Sequence, residues 1–393
     1  MNRTTPEELN DRLRGWLAGK MPAASGLVLS PLTKPSIGFS NDTLVCYVTY
    51  RGHGEERRED LVVRLEPAEF QIFPEYDLRG QARIMRCLAG TDVPVPHVRW
   101  IEEDAGVVGR AFYVMDRIAG EVPSEVPPYH AAGVFATATP EERAAMWWSG
   151  IETLARVHAV DWKAAGQEEG RGKEEGGGLS FLGVPPEGAP AVRPQLAYYE
   201  RMLEWAEEQD RFEASGRAGL KPAPTSDWAP EPQTVLRAAQ QWLRENECES
   251  ERVAMCWGDS RLPNVIYRDG RIAGVLDWEM AFLGDPEADL AWWLFMDWFA
   301  SGGYGVARLE GMPEREETVA RYEELTGRPV RNLFYNEVFA GMRFGVIMVR
   351  VAAMMRARGM PLPSPNFGSN NPATRKLAEM LDGVSAEGAT RQQ

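Results

Sequence analysis

Short apolar runs separated by polar gaps mark the first third of the chain, and helical periodicity marks most of the rest. Leu44-Val45-Cys46-Tyr47-Val48 and Leu61-Val62-Val63-Arg64-Leu65 are rich in β-branched and aromatic residues and read as strands. The polar, glycine-containing Arg51-Gly52-His53-Gly54-Glu55 between them suits a hairpin loop. From Asp77 to Leu88 the apolar residues Leu78, Ala82, Met85 and Leu88 share one helical face. Val93-Pro94-Val95-Pro96 ends that helix in an extended segment, because proline drives the residue before it out of the α region. Residues 107–115 read as a further strand, closed by Gly120. At the start, Thr5 caps a helix, Pro6 takes its first position and Glu8 closes a capping box ahead of Leu9, Leu13, Trp16 and Leu17.

Beyond Gly120 the pattern turns helical, with residues 141–159 forming one long periodic helix. Residues 163–178 are rich in Gly and Glu, bury too little to fold alone and read as a mobile insertion. A second soft stretch, 216–232, contains several prolines. Strand character returns over 251–278, and everything later reads as helix. The most apolar stretch, 333–355, is interrupted by Glu337, Arg343 and Arg350, which suits a buried helix better than a membrane span. At 393 residues the chain exceeds one ordinary core, so two lobes are expected. The smaller, β-rich one covers 1–120 and the larger, mainly helical one 121–393, an α+β arrangement.

Composition narrows the partners. A net charge of −15 argues against nucleic acid and against an anionic membrane surface. Cys46, Cys87, Cys248 and Cys256 form no C-x-x-C pair and no metal-ligand spacing, and the amino terminus lacks a signal-peptide apolar core. A cytoplasmic protein with reduced thiols is the expectation. Neither His-Glu-x-x-His nor a G-x-G-x-x-G between strand and helix is present, which argues against a zinc hydrolase and a Rossmann dehydrogenase.

The chemistry concentrates in residues 257–279. Asp269-Gly270 between two alternating apolar runs is a strong hairpin signal. With a two-residue turn there, Asn264 sits opposite Val275, and Asp277 lies one diagonal step away, about 7–8 Å at the backbone. A carboxylate and an amide oxygen so placed can converge on a hard cation such as magnesium, which takes phosphates and waters as its other ligands. Asp259 precedes Asn264 on a glycine-bearing loop and is free to face an acceptor hydroxyl. Phosphoryl transfer asks for little more than positioning, charge neutralisation and a group to take the hydroxyl proton.

Asp259-x-x-x-x-Asn264 followed by Asp277 resembles the catalytic loop and metal motif of protein kinases. Gly258-Asp259…Asn264…Leu276-Asp277-Trp278-Glu279, with Gly284-Asp285-Pro286-Glu287-Ala288-Asp289-Leu290-Ala291, is similar to the aminoglycoside phosphotransferase and choline kinase group. In particular it resembles the kinase-like domain fused to some acyl-CoA dehydrogenases. The likeness runs upstream through Gly38-Phe39-Ser40-Asn41-Asp42-Thr43, Val63-Arg64, Gly109 to Met115 and Leu154 to His158, covering about 27–300.

The resemblance implies a protein-kinase-like, two-lobed fold and a kinase acting on the hydroxyl of an unidentified small molecule, with ATP (or GTP) and Mg2+. By the same resemblance Asp259 is the catalytic carboxylate, Arg261 steadies the moving phosphoryl group, and Asn264 and Asp277 hold the metal. Gly38, Ser40 and Asn41 cover the phosphates, Arg64 and Gln81 take the positions of the phosphate-binding lysine and its glutamate partner, and Met115 borders the base. Asp285 and Asp289 are expected to be structural, capping a helix and pinning the catalytic loop. Three departures stand out: arginine for lysine at 64, a neutral amide at 81, and Trp257 where a histidine is usual. They keep a non-catalytic, nucleotide-binding pseudokinase open as the alternative.

Overall fold

The computed structural model describes residues 5–34, 42–52, 54–67, 70–166, 178–214 and 233–390, with backbone alone at 213–214 and 385–390. Gly38, Ser40 and Asn41 lie outside the described residues, as do 167–177 of the expected insertion and 215–232.

Helix α1 (Pro6–Lys20) starts as its capping box predicts. The Glu8 N–H donates to the Thr5 hydroxyl at 3.2 Å, and the Glu8 carboxylate accepts from the Thr5 N–H at 3.0 Å. Its apolar face buries Leu13 and Leu17 in a core shared with an antiparallel sheet. The strands are β1 (Ser25–Leu29), β2 (Asp42–Gly52), β3 (Glu55–Leu65), β4 (Val98–Glu102) and β5 (Phe112–Asp116), in the order β1-β2-β3-β5-β4. The β2–β3 ladder runs on to Gly52↔Glu55, so the hairpin loop is tighter than the apolar runs suggest. Helix α2 (Leu78–Leu88) begins at Asp77, whose carboxylate accepts the Gly80 N–H at 2.7 Å, and buries the predicted face.

Residues 107–115 are not one strand. Asp104 caps a short helix α3 (Ala105–Val108), Gly109 ends it at φ +94°, and extended structure resumes only at Phe112. Strand β4 was not anticipated, although Val98, Trp100 and Ile101 are strand-forming residues.

The remainder is helical: α4 (Gly133–Thr137), α5 (Pro140–Ala159), α6 (Arg193–Ala214), α7 (Thr234–Glu245), α8 (Glu287–Ala300), α9 (Arg315–Thr326), α10 (Leu333–Ala357) and α11 (Pro372–Thr390). Two small antiparallel ladders interrupt it, β6 (Ala254–Cys256) with β9 (Phe282–Gly284) and β7 (Val265–Arg268) with β8 (Arg271–Val275). Strand β9 corrects the expectation of helix alone beyond 278. By length and composition α10 could cross a membrane, but it is spent on the core, where Val338, Phe339, Val346 and Val349 pack with α6, α7 and α8. A second core joins α2 and β5 to α5, the β7–β8 hairpin and α8. The candidate site lies where β3, this hairpin and α8 approach one another.

Candidate active site

The hairpin turn forms where Asp269-Gly270 predicts. Both residues have positive φ, +53° and +72°, as a two-residue turn of matching twist requires. The expected register is corrected by one residue. Ala273 is bulged between the pairs Tyr267↔Ile272 and Ile266↔Gly274, so Val265 faces Val275 and the Asn264 carbonyl accepts from Leu276 N–H at 2.8 Å. The slip brings Asn264 beside the residue that precedes Asp277. Asp277 itself has φ +60° without being glycine, a strain of about 1–3 kcal/mol of the kind that clusters at functional sites.

Asp289, fully buried near the start of α8, holds the loop before the hairpin. Its carboxylate accepts the Trp257 N–H at 2.5 Å and the Gly258 N–H at 2.8 Å, and its carbonyl accepts the Ser260 hydroxyl at 2.7 Å. His158 also bonds Asp289, at 3.2 Å, while its other ring nitrogen meets the Tyr322 hydroxyl at 2.6 Å. It is a partnered core histidine. Cys256 brings its sulfur near this pair, but Asp289 is already committed and burial pushes the thiol pKa well up. The Trp257 indole donates to the Leu276 carbonyl at 2.8 Å, tying loop to hairpin end.

Three N–H groups orient Asp259. Trp292 Nε1 donates to Oδ1 at 2.9 Å, and Arg261 Nε and Asn264 Nδ2 donate to Oδ2 at 3.0 and 2.6 Å. Because the Asn264 amide nitrogen faces Asp259, its oxygen is the atom left for a cation. Arg261 also pairs with Glu125 at 2.5 Å, so its guanidinium joins two carboxylates. Burial works against that charge, but Asp259 and Glu125 outweigh it and raise the Arg261 pKa. Trp292 and Glu125 were not anticipated. The only local signal for Trp292 is its position three residues after Asp289, on the same helical face.

On the sheet side, Arg64 of β3 lies between Thr43 of β2 and Tyr113 of β5. Its Nη2 meets Asp277 Oδ1 at 3.0 Å, and its Nη1 reaches Thr43 Oγ1 at 3.4 Å. Burial again opposes the charge, and the Asp277 carboxylate outweighs it, so the Arg64 pKa is raised. Gln81 is buried on α2, and among the described residues neither its side-chain oxygen nor Arg64 Nε has a hydrogen-bond partner. Met115 is buried in β5, paired with Val62 and Val98.

The profile of the phosphotransferase enzyme family matches residues 32–331. The chain belongs to this family. It is 26% identical over 237 residues to mouse acyl-CoA dehydrogenase family member 10, covering 59% of this chain and 18% of that protein. It is 24% identical over 271 residues to human acyl-CoA dehydrogenase family member 11, covering 66% and 29%. The chain thus spans less than a third of either relative. Among solved structures, a candidate aminoglycoside phosphotransferase from Ralstonia eutropha superposes with a TM-score of 0.62 at 22% identity, covering 94% of this chain and 96% of that one. Plasmodium vivax ethanolamine kinase gives 0.57 at 12% identity, covering 96% and 90%. These likenesses establish a protein-kinase-like fold, with a sheet in the N-terminal region and helices in the C-terminal part.

Proposed function

We propose that this phosphotransferase moves the γ-phosphoryl group of ATP, bound with magnesium, to a hydroxyl of a small molecule. The observation that supports this most is one continuous chain of contacts. Asn264 holds Asp259 at 2.6 Å and accepts from Leu276, and the next residue, Asp277, meets Arg64 of the sheet at 3.0 Å. The donor set suits magnesium, being all oxygen: the Asn264 amide and the Asp277 carboxylate. The buried Arg64 Nε, without a hydrogen-bond partner among the described residues, suits a phosphate oxygen. When bound, the ion would neutralise phosphate charge. Asp259 would take or orient the acceptor proton, and Arg261, held between two carboxylates, would position Asp259.

Hydroxy acids and their thioesters belong in the first acceptor screen, because matched relatives are acyl-CoA dehydrogenase family members, and aminoglycosides belong beside them. A non-catalytic nucleotide binder is the alternative that Gln81 favours, since a neutral amide cannot pair with Arg64 as a carboxylate would. Asp259→Asn separates the two. In an enzyme it leaves Mg-ATP affinity within a fewfold and lowers turnover by about 10²-fold or more, with water standing in for the acceptor if none is known. Equal background turnover in both proteins would favour the alternative.

A further inference from the structure

Arg343 of α10 is a fully buried cation placed directly behind the loop that bears Asp259. Its Nη2 donates to the Gly258 carbonyl at 2.7 Å, while Nε and Nη1 have no hydrogen-bond partner among the described residues. Its guanidinium carbon lies over Trp292 at 4.5 Å, Tyr199 at 5.2 Å, Phe339 at 5.3 Å and Phe282 at 5.5 Å. Ring faces attract a cation, and the Tyr199 side chain interacts with this one, but burying it with so few partners remains costly, and an apolar side chain of similar length would fill the same space. Packing alone therefore does not account for an arginine here.

Its contacts do. Gly258 has its N–H fixed by Asp289 and its carbonyl fixed by Arg343, so the peptide leading into Asp259 is held from both sides. The ring Arg343 approaches most closely, Trp292, is the one whose N–H fixes Asp259 Oδ1. One guanidinium thus touches both the backbone before the carboxylate and the indole that orients it. We propose that Arg343 is a positioning residue that sets the place and orientation of the Asp259 carboxylate. Its selective advantage is geometric, because a shift of about 1 Å at the reacting group can lower a rate by about 10²-fold.

This inference rests on the phosphotransfer reading, and the experiment separates the two. Mg-ATP binding and Mg-ATP hydrolysis are measured for wild type, Asp259→Asn, Arg343→Met, Arg343→Lys and Trp292→Phe. Arg343→Met is expected to bind Mg-ATP within about threefold of wild type, to lose about 10²-fold in kcat and to leave KM for ATP nearly unchanged. Arg343→Lys, which keeps a donor for Gly258, recovers part of that loss. Trp292→Phe, which removes the indole N–H while keeping an aromatic ring beneath Arg343, loses kcat in the same sense. A folded Arg343→Met with wild-type kcat, beside an impaired Asp259→Asn, overturns the positioning role alone. If Arg343→Met does not fold, wild-type kcat in both Arg343→Lys and Trp292→Phe overturns it. Wild-type turnover in Asp259→Asn overturns the phosphotransfer reading and the positioning role with it.

Discussion

Arg64 and Asp277, 213 positions apart in sequence, meet through an ion pair at 3.0 Å. The contact joins a strand of the sheet to the residue just beyond the β7–β8 hairpin, and both partners are largely buried, at 13% and 18% side-chain exposure. Removing one member of such a pair leaves the other charge short of compensation.

Asp277→Asn is expected to lower the stability of the unliganded protein by about 3 kcal/mol, the lower end of the range for breaking a buried pair. Asparagine tolerates the positive φ of this position, so backbone strain adds little. The same variant should lose the extra melting temperature that Mg-ATP gives over ATP with chelator. A native-state ligand at 100 times its Kd stabilises by about 2.7 kcal/mol, which thermal melting detects readily. An undiminished magnesium increment in Asp277→Asn would remove this residue from the metal site.

Gly258→Ala should be among the most damaging single-methyl changes in the chain. Gly258 has φ +87°, and a Cβ there would lie 1.9 Å from the Met280 carbonyl oxygen, an atom of the backbone that cannot swing aside. The positive φ alone costs about 1–2 kcal/mol, and the clash adds to it. Loss of more than about 2 kcal/mol in denaturant unfolding is expected. A melting curve like that of wild type would mean the loop relaxes where its two anchors, Asp289 and Arg343, should prevent it.

What was legible in the sequence and what was not divide along the range of the interactions. The Asp269-Gly270 turn, the Thr5 capping box and the α2 face are set by residues within a few positions of one another, and each appears where its pattern places it. The bulge at Ala273 was not legible, because nothing in a local alternation of apolar residues marks an extra residue in a ladder. Trp292, Glu125 and Arg343 were missed for a different reason. Each reaches the loop from 33, 136 and 85 positions away, through contacts that only the folded chain brings about. Asp289 was expected to be structural, and its bonds to Trp257 and Gly258 hold the loop that bears Asp259.

Glu125→Gln tests what Arg261 does. The ion pair at 2.5 Å draws the guanidinium away from solvent while its Nε stays on Asp259. A glutamine keeps an acceptor oxygen but removes the charge. Arg261 then gains freedom to follow Asp259 less closely, and turnover should fall by about tenfold, equivalent to about 1.4 kcal/mol of barrier. Mg-ATP affinity, measured by titration, should not change, because neither residue contacts Arg64 or Asp277. A parallel loss of affinity would instead place Arg261 against the phosphates.

Glu287, in the first turn of α8, should make the protein less stable as the solution becomes more alkaline. Burial, and then the neighbouring Asp285 carboxylate, raise its pKa from 4.5 to about 8. Arg252, Arg328, Glu251 and Tyr322 line the same small depression. The unfolded chain releases this proton near 4.5, whereas the folded protein keeps it until about 8. Between those values the native state binds more protons than the unfolded state, so unfolding free energy falls as pH rises through the window. Below the window both states are protonated and the residue is neutral to stability; above it the full penalty of an ionised, half-buried carboxylate beside Asp285 is present. Glu287→Gln keeps the shape and removes the titration. Its melting temperature should match wild type near pH 4.5 and exceed it progressively toward pH 8. Other groups titrate over the same range, so the measurement is the difference between the two proteins at each pH. A constant difference from acid to alkaline would show that Glu287 ionises at an ordinary pH and that Asp285 does not restrain it.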